Sequence, residues 1–164
     1  MYRTTDHAIR IDWRFFQQVI APSSVEDIQS CQASFSAVTW HLETPYLLKP
    51  REIPALRLAT LLVNSKLVGP NSVLLHLSSV GLTECDVRDI LNNAKENRIC
   101  NIFALRGDNE CGSKYRGGFA HAVDLVKFIR REFGDYFTIC VAGYPLGHPE
   151  ATSYQQDLIH LKEK

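Results

Sequence analysis

Four groups of polar residues in this 164-residue chain stand directly behind apolar runs: Thr39-Trp40-His41, His76 with Ser78-Ser79, Arg106-Gly107-Asp108, and the stretch from Tyr144 to Glu150. In Arg106-Gly107-Asp108 a guanidinium, a conformationally permissive glycine and a carboxylate share one turn, a set that can hold a phosphate or an electron-poor ring with charge of either sign. The same three residues also fit a solvated turn. His76, a lone histidine in an apolar run, suits either a ligand or acid role or a hydrogen-bonded structural one. Trp40 suits a packed core as well as a flat platform for a cofactor. Gly143 to Ala151 is more specific. Its two prolines and two glycines stiffen a loop that presents Tyr144 and His148, and Glu150 suits the positive end of a following helix.

Other chemistry has less support. No His, Cys, Asp and Glu residues recur with metal-ligand spacing. Neither a Gly-x-Gly-x-x-Gly fingerprint nor a Walker-type loop is present, and Gly117-Gly118 ahead of a helix is a weak anion signal.

The elements that would position these groups follow a β-α rhythm. Short apolar runs predict strands over Ser34 to Thr39, Val73 to Ser78, Asn101 to Leu105 and Thr138 to Gly143, with a weaker one over Ala8 to Phe16. Helices are expected over Glu52 to Ser65, Glu84 to Asn97, Phe119 to Phe133 and Glu150 to Lys162, and a short one near Val25 to Cys31. Thr83 is placed to cap the helix that buries Val87, Ile90, Leu91 and Ala94. In the next helix Ala122, Val123, Leu125, Val126, Ile129 and Phe133 gather on one side, opposite Asp124, Lys127, Arg130 and Arg131. Alternation of this kind is the pattern of a mostly parallel sheet, whose binding residues lie at the carboxyl ends of the strands.

With 45% hydrophobic and 22% charged residues, the chain fits one domain or part of a larger one. Its 18 basic and 18 acidic residues leave no net charge to attract nucleic acid or an anionic membrane. A small molecule or another protein is the expected partner. The 5 cysteines are odd in number and form no Cys-x-x-Cys pair, which fits a reducing compartment. Without a signal-like start or a long apolar stretch, the chain reads as soluble and cytoplasmic.

Several motifs, in order, resemble the animal methylenetetrahydrofolate reductases. They are Ala104 to Asp108, Gly117-Gly118-Phe119, Ala122 to Val126, Ile129-Arg130, Glu132 to Phe137, Ile139 to Pro145, Gly147 to Ala151, Asp157-Leu158 and His160 to Lys164. Val38 to His41 and Leu75-His76 extend the likeness backward, so that residues 34–164 are best matched and 1–33 diverge. The resemblance implies an α/β fold, a partial (β/α)8 TIM barrel of about five of the eight β-α units. Across 1–164 it implies an incomplete catalytic domain, lacking the later strands and the regulatory domain of animal members. An open barrel of this kind leaves self-association as an expectation.

The implied activity is reduction of 5,10-methylenetetrahydrofolate to 5-methyltetrahydrofolate, with non-covalent FAD as cofactor and NAD(P)H as reductant. The implied flavin contacts are Thr39, Trp40, His76, Arg106, Gly107, Asp108, Ala122, Tyr144, His148, Pro149, Glu150, Ala151, Asp157 and Lys164, with Asp108 also near the folate. This sequence departs from the family at some points. His121 stands where tyrosine is common, and the loop from Asn109 to Arg116 is short and less acidic. The family's general acid is a glutamate ahead of two phenylalanines, whereas here Arg14 precedes Phe15-Phe16 and Asp12 is the nearest carboxylate. The alternative is therefore an inactive family member that at most binds FAD or a partner chain.

Overall fold

A computed structural model describes residues 9–11, 36–40, 49–65, 71–107, 118–144, 147–148 and 151–163. Among these residues five strands are found, β1 (Ile9–Ile11), β2 (Ser36–Val38), β3 (Val73–Ser78), β4 (Asn101–Leu105) and β5 (Thr138–Val141). They form one sheet in chain order, and each neighbouring pair is parallel. Four helices alternate with them: α1 (Pro54–Ser65), α2 (Glu84–Glu96), α3 (Ala122–Phe133) and α4 (Tyr154–Glu163). A single 3-10 turn, Pro50–Glu52, leads into α1. The fold is α/β, and its parallel strands in chain order are consistent with part of a TIM barrel. The short helix expected near Val25 to Cys31 lies outside the described residues.

Alternation along the strands separates two faces. Val73, Leu75 and Leu77 of β3 and Ile102 and Ala104 of β4 are buried, while Leu74, His76, Ser78, Asn101, Phe103 and Leu105 are half-buried. The first set meets the helices. There it packs with Leu56, Ala59 and Leu62 of α1, with Val87, Ile90, Leu91 and Ala94 of α2, and with Leu125, Phe128 and Ile129 of α3. Each large apolar side chain so buried contributes roughly 1.5–3 kcal/mol.

Local chemistry sets the helix ends. Pro54 opens α1, where a missing amide hydrogen leaves no bond unmade. At α2 the Thr83 hydroxyl accepts the Asp86 amide at 3.2 Å, and the Asp86 carboxylate accepts the Thr83 amide at 2.8 Å. The helix closes as Arg98 turns left-handed, with φ of 60°, and the Ile99 amide reaches back to the Ala94 carbonyl at 2.9 Å.

Three helices begin later than their apolar patterns suggest, and α1 does so by two residues, at Pro54 rather than Glu52, behind the 3-10 turn. Helix α3 starts at Ala122 rather than Phe119, because the Asp124 carboxylate turns back to accept the amides of Ala120 and His121 at 3.0 and 2.8 Å. Phe119 instead packs edge-on against Phe128, with ring centroids 5.4 Å apart. Helix α4 starts at Tyr154, where the Ser153 hydroxyl accepts the Gln156 amide at 3.2 Å. Strand β5 ends at Val141, two residues short of the expected Gly143.

Candidate functional site at the carboxyl ends of the strands

Because neighbouring strands are all parallel, their carboxyl ends share one rim of the sheet, and the polar groups behind them are brought to it together. Thr39 and Trp40 follow β2, Ser79 follows β3, Arg106 and Gly107 follow β4, and Ala142 to Tyr144 with Gly147 and His148 follow β5. Asp108, Pro149, Glu150 and Lys164 lie outside the described residues, as do Asp12 and Arg14.

Within this rim the residues play different parts. Thr39 is buried, and the Trp40 indole joins the hydrophobic core. What Trp40 can offer the rim is therefore mainly its backbone. His76 belongs to the half-buried face of β3, level with Phe103 of β4, and the two rings lie 4.8 Å apart. Arg106 folds back so that its Nε donates to the Gly107 carbonyl at 3.3 Å. Ala122 is the first residue of α3 and is half-buried.

Gly107 adopts φ of +91°, a conformation that side chains rarely tolerate. A Cβ placed there would lie 2.0 Å from the Ser78 hydroxyl and 2.9 Å from a Val80 methyl. The turn is thus locked from two sides.

After β5, the Gly147 amide donates to the Tyr144 carbonyl at 2.9 Å, closing a tight turn in which Gly147 has φ of +87°. The turn sets the Tyr144 ring edge-on to the His148 ring, with centroids 4.4 Å apart. The loop is tied to α4 by the Asp157 carboxylate, which accepts the His148 amide at 3.1 Å. Ala151 donates its amide to the His148 carbonyl at 2.9 Å, completing the passage into the helix. Asp157 therefore acts on the rim by holding its loop.

Sequence reading picked out the rim but not its internal ties. Phe103 beside His76 follows from strand register, and its alternation with the buried Ile102 and Ala104 is the signal that places it on the open face. The Ser78 contact with Gly107 joins residues on different strands and carries no local signature.

Charge on the outer layer is paired. Glu132 accepts hydrogen bonds from Arg88 at 3.0 Å and from Arg131 at 2.9 Å, which hold its carboxyl below the usual glutamate range. Burial pushes the Tyr136 phenol up, helped by Cys100 nearby. Among the described residues, no group of three His, Cys, Asp or Glu side chains is arranged to hold a metal ion, and no helix is long and apolar enough to cross a membrane.

Comparison with known proteins bears on the same region. A family model described as methylenetetrahydrofolate reductase matches residues 19–164. The chain is 34% identical over 143 residues to a probable methylenetetrahydrofolate reductase (NADPH) of Caenorhabditis elegans, covering 85% of this chain and 21% of that protein. It is 41% identical over 104 residues to a probable methylenetetrahydrofolate reductase (NADH) of Oryza sativa subsp. japonica, covering 56% and 18%. Over 81 residues it is 46% identical to methylenetetrahydrofolate reductase 2 of Schizosaccharomyces pombe, covering 47% and 13%. The chain thus spans about a fifth or less of the length of these curated relatives.

Proposed function

The chain belongs to the methylenetetrahydrofolate reductase family, and from that premise we propose that its strand-end rim holds FAD for the reduction of 5,10-methylenetetrahydrofolate to 5-methyltetrahydrofolate by NAD(P)H. The observation that carries this reading is that Arg106 and the Tyr144–His148 pair follow neighbouring parallel strands at one rim of the sheet, with His76 on the half-buried face of β3 beside them. A guanidinium, two imidazoles and a phenol are donors and flat surfaces suited to a pyrophosphate and an aromatic ring system. The donor set fits the cofactor.

In this reading Arg106 and the Gly107 turn, His76, Tyr144 and His148 bind FAD, together with Thr39, the Trp40 backbone, Ala122 and Ala151. Asp157 keeps the His148 loop in place, and Asp108, Pro149, Glu150 and Lys164 complete the set. Bound there, FAD supplies two-electron transfer between the nicotinamide and the folate. The protein's own tasks are to orient both rings, exclude water and hold the Asp108 carboxylate near them.

A second reading, a family member that binds FAD or a partner chain without reducing folate, is favoured by Arg14. In the sequence it is the nearest counterpart of the family's glutamate acid, with Asp12 the nearest carboxylate, and a guanidinium holds its proton too tightly to deliver it usefully at neutral pH. The two readings part on one experiment. Anaerobic purified protein loaded with FAD is mixed with NADPH or NADH and then with methylenetetrahydrofolate, while flavin absorbance is followed. Bleaching followed by folate-dependent recovery supports the reductase. Bleaching without recovery supports the second reading, and protein that takes up no FAD contradicts the reductase and leaves the second reading with a partner chain alone.

A further inference from the structure

We infer that Ser78 is a positioning residue for the flavin rim: its hydroxyl fixes the Arg106–Gly107 turn in the shape that aims Arg106. The inference rests on the flavin reading above and assigns a role to a side chain outside the proposed FAD contacts. Pairing between β3 and β4 does not stop at the strand ends. The Ser79 amide donates to the Leu105 carbonyl at 3.0 Å, and the Val80 amide to the Arg106 carbonyl at 2.8 Å. Two hydroxyls reinforce these bonds. Ser78 Oγ donates to the Arg106 carbonyl at 3.2 Å, and Ser79 Oγ to the Leu105 carbonyl at 3.3 Å.

The geometry at Gly107 distinguishes Ser78 from Ser79. The Ser78 hydroxyl fills the space a Cβ on Gly107 would need, 2.0 Å from that position, while it holds the carbonyl of the preceding residue. One oxygen therefore crowds the Cβ position at residue 107, together with the Val80 methyl and the φ of +91°, and also holds the Arg106 carbonyl. Arg106 begins its side chain from a backbone held at its carbonyl by a hydroxyl and an amide. Loss of the hydroxyl leaves the Val80 bond, so the strand end stays paired while the turn gains freedom.

The test compares Ser78→Ala, Ser78→Val and Ser78→Thr in the full chain. Threonine keeps the hydroxyl and valine has the same shape without it, which separates the hydrogen bond from packing. FAD affinity is measured by quenching of flavin fluorescence, and amide hydrogen exchange at Val80 and Gly107 is followed without FAD. Losing one neutral hydrogen bond that orders the turn should weaken FAD binding about five- to tenfold in the alanine and valine variants. The threonine variant should bind within about twofold of wild type. Exchange at Val80 and Gly107 should quicken in the first two variants, with exchange at Ile90 in α2 unchanged. Equal affinities and equal exchange across all variants overturn the inference while leaving the flavin reading intact. Wild-type protein that binds no FAD overturns the flavin reading, and with it the role toward the cofactor; the exchange comparison then decides by itself whether Ser78 holds the turn.

Discussion

The α2–α3 layer and helix α4 belong to the same β-α series on very different terms. Between α2 and α3, Phe128 is buried with Phe119 at its edge and the guanidiniums of Arg88 and Arg131 within 5.4 and 5.1 Å of its ring centroid. Ion pairs from Arg88 to Glu132 and from Arg131 to Glu84 tie the two helices across their outer surface, and a pair within α3, Arg131 to Glu132, joins them into one network. At its end, α3 is tied to the turn that leads into β5 by Arg130, which donates to the carbonyls of Gly134 and Phe137 at 3.1 and 2.8 Å. Helix α4 buries no side chain, and Leu158, Ile159 and Leu161 remain 45%, 51% and 39% exposed. Stability is thus concentrated in one region, and part of the candidate site hangs from the other through the Asp157–His148 bond. Binding loops are commonly drawn from the weaker parts of a fold.

The sharpest way to break this comparison is to cut one side chain from each region. Phe128→Ala should destabilise the protein by about 3–5 kcal/mol, since it empties a packed site. Leu158→Ala should change stability by no more than about 0.5 kcal/mol. Urea unfolding of both variants measures the difference, and similar losses would erase the distinction.

A smaller effect is expected from pH. Glu132 has a folded pKa lowered chiefly by the hydrogen bond from Arg88 and then by that from Arg131. It therefore contributes stability above its unfolded pKa, and the contribution is lost as pH falls through the folded value. Unfolding midpoints recorded from neutral to acid pH should fall less steeply for Glu132→Gln than for wild type. Because the pair is exposed, salt should reduce the difference. Parallel pH profiles would remove Glu132 from the account.

The smallest effect concerns the end of α2. Arg98 holds a left-handed conformation that glycine adopts without steric strain, whereas glycine gains more freedom in the unfolded chain. Arg98→Gly should raise stability by a few tenths of a kcal/mol, up to about 1. A lower thermal midpoint would show that the arginine side chain contributes more than its backbone loses.

What could be read in advance divides along the same line. Strands β3 and β4 run over the residues their apolar runs mark, and Thr83 caps α2 above its buried stripe, because these features depend on neighbours in sequence. The stripe of α3 omitted Phe128, although it stands three residues after Leu125 on the buried side, where it packs edge-on against Phe119. The starts of α3 and α4 moved because Asp124 and Ser153 bond to backbone amides that hydrophobic spacing does not register. At the rim, strand-end logic located Arg106, Tyr144 and His148, but the burial of Trp40, the packing of Phe103 on His76 and the fit of Ser78 over Gly107 arise between strands. Such contacts follow from register, which no single stretch of sequence contains.

The central claim is that the rim of this chain binds flavin, and its most direct test is a titration of the full chain with FAD by flavin fluorescence, set beside Arg106→Ala at matched folding. The account predicts saturable binding to one site per chain, weakened about tenfold or more when the guanidinium is removed. Folded wild-type protein that leaves FAD fluorescence unchanged, or an Arg106→Ala variant that binds as tightly, would contradict it.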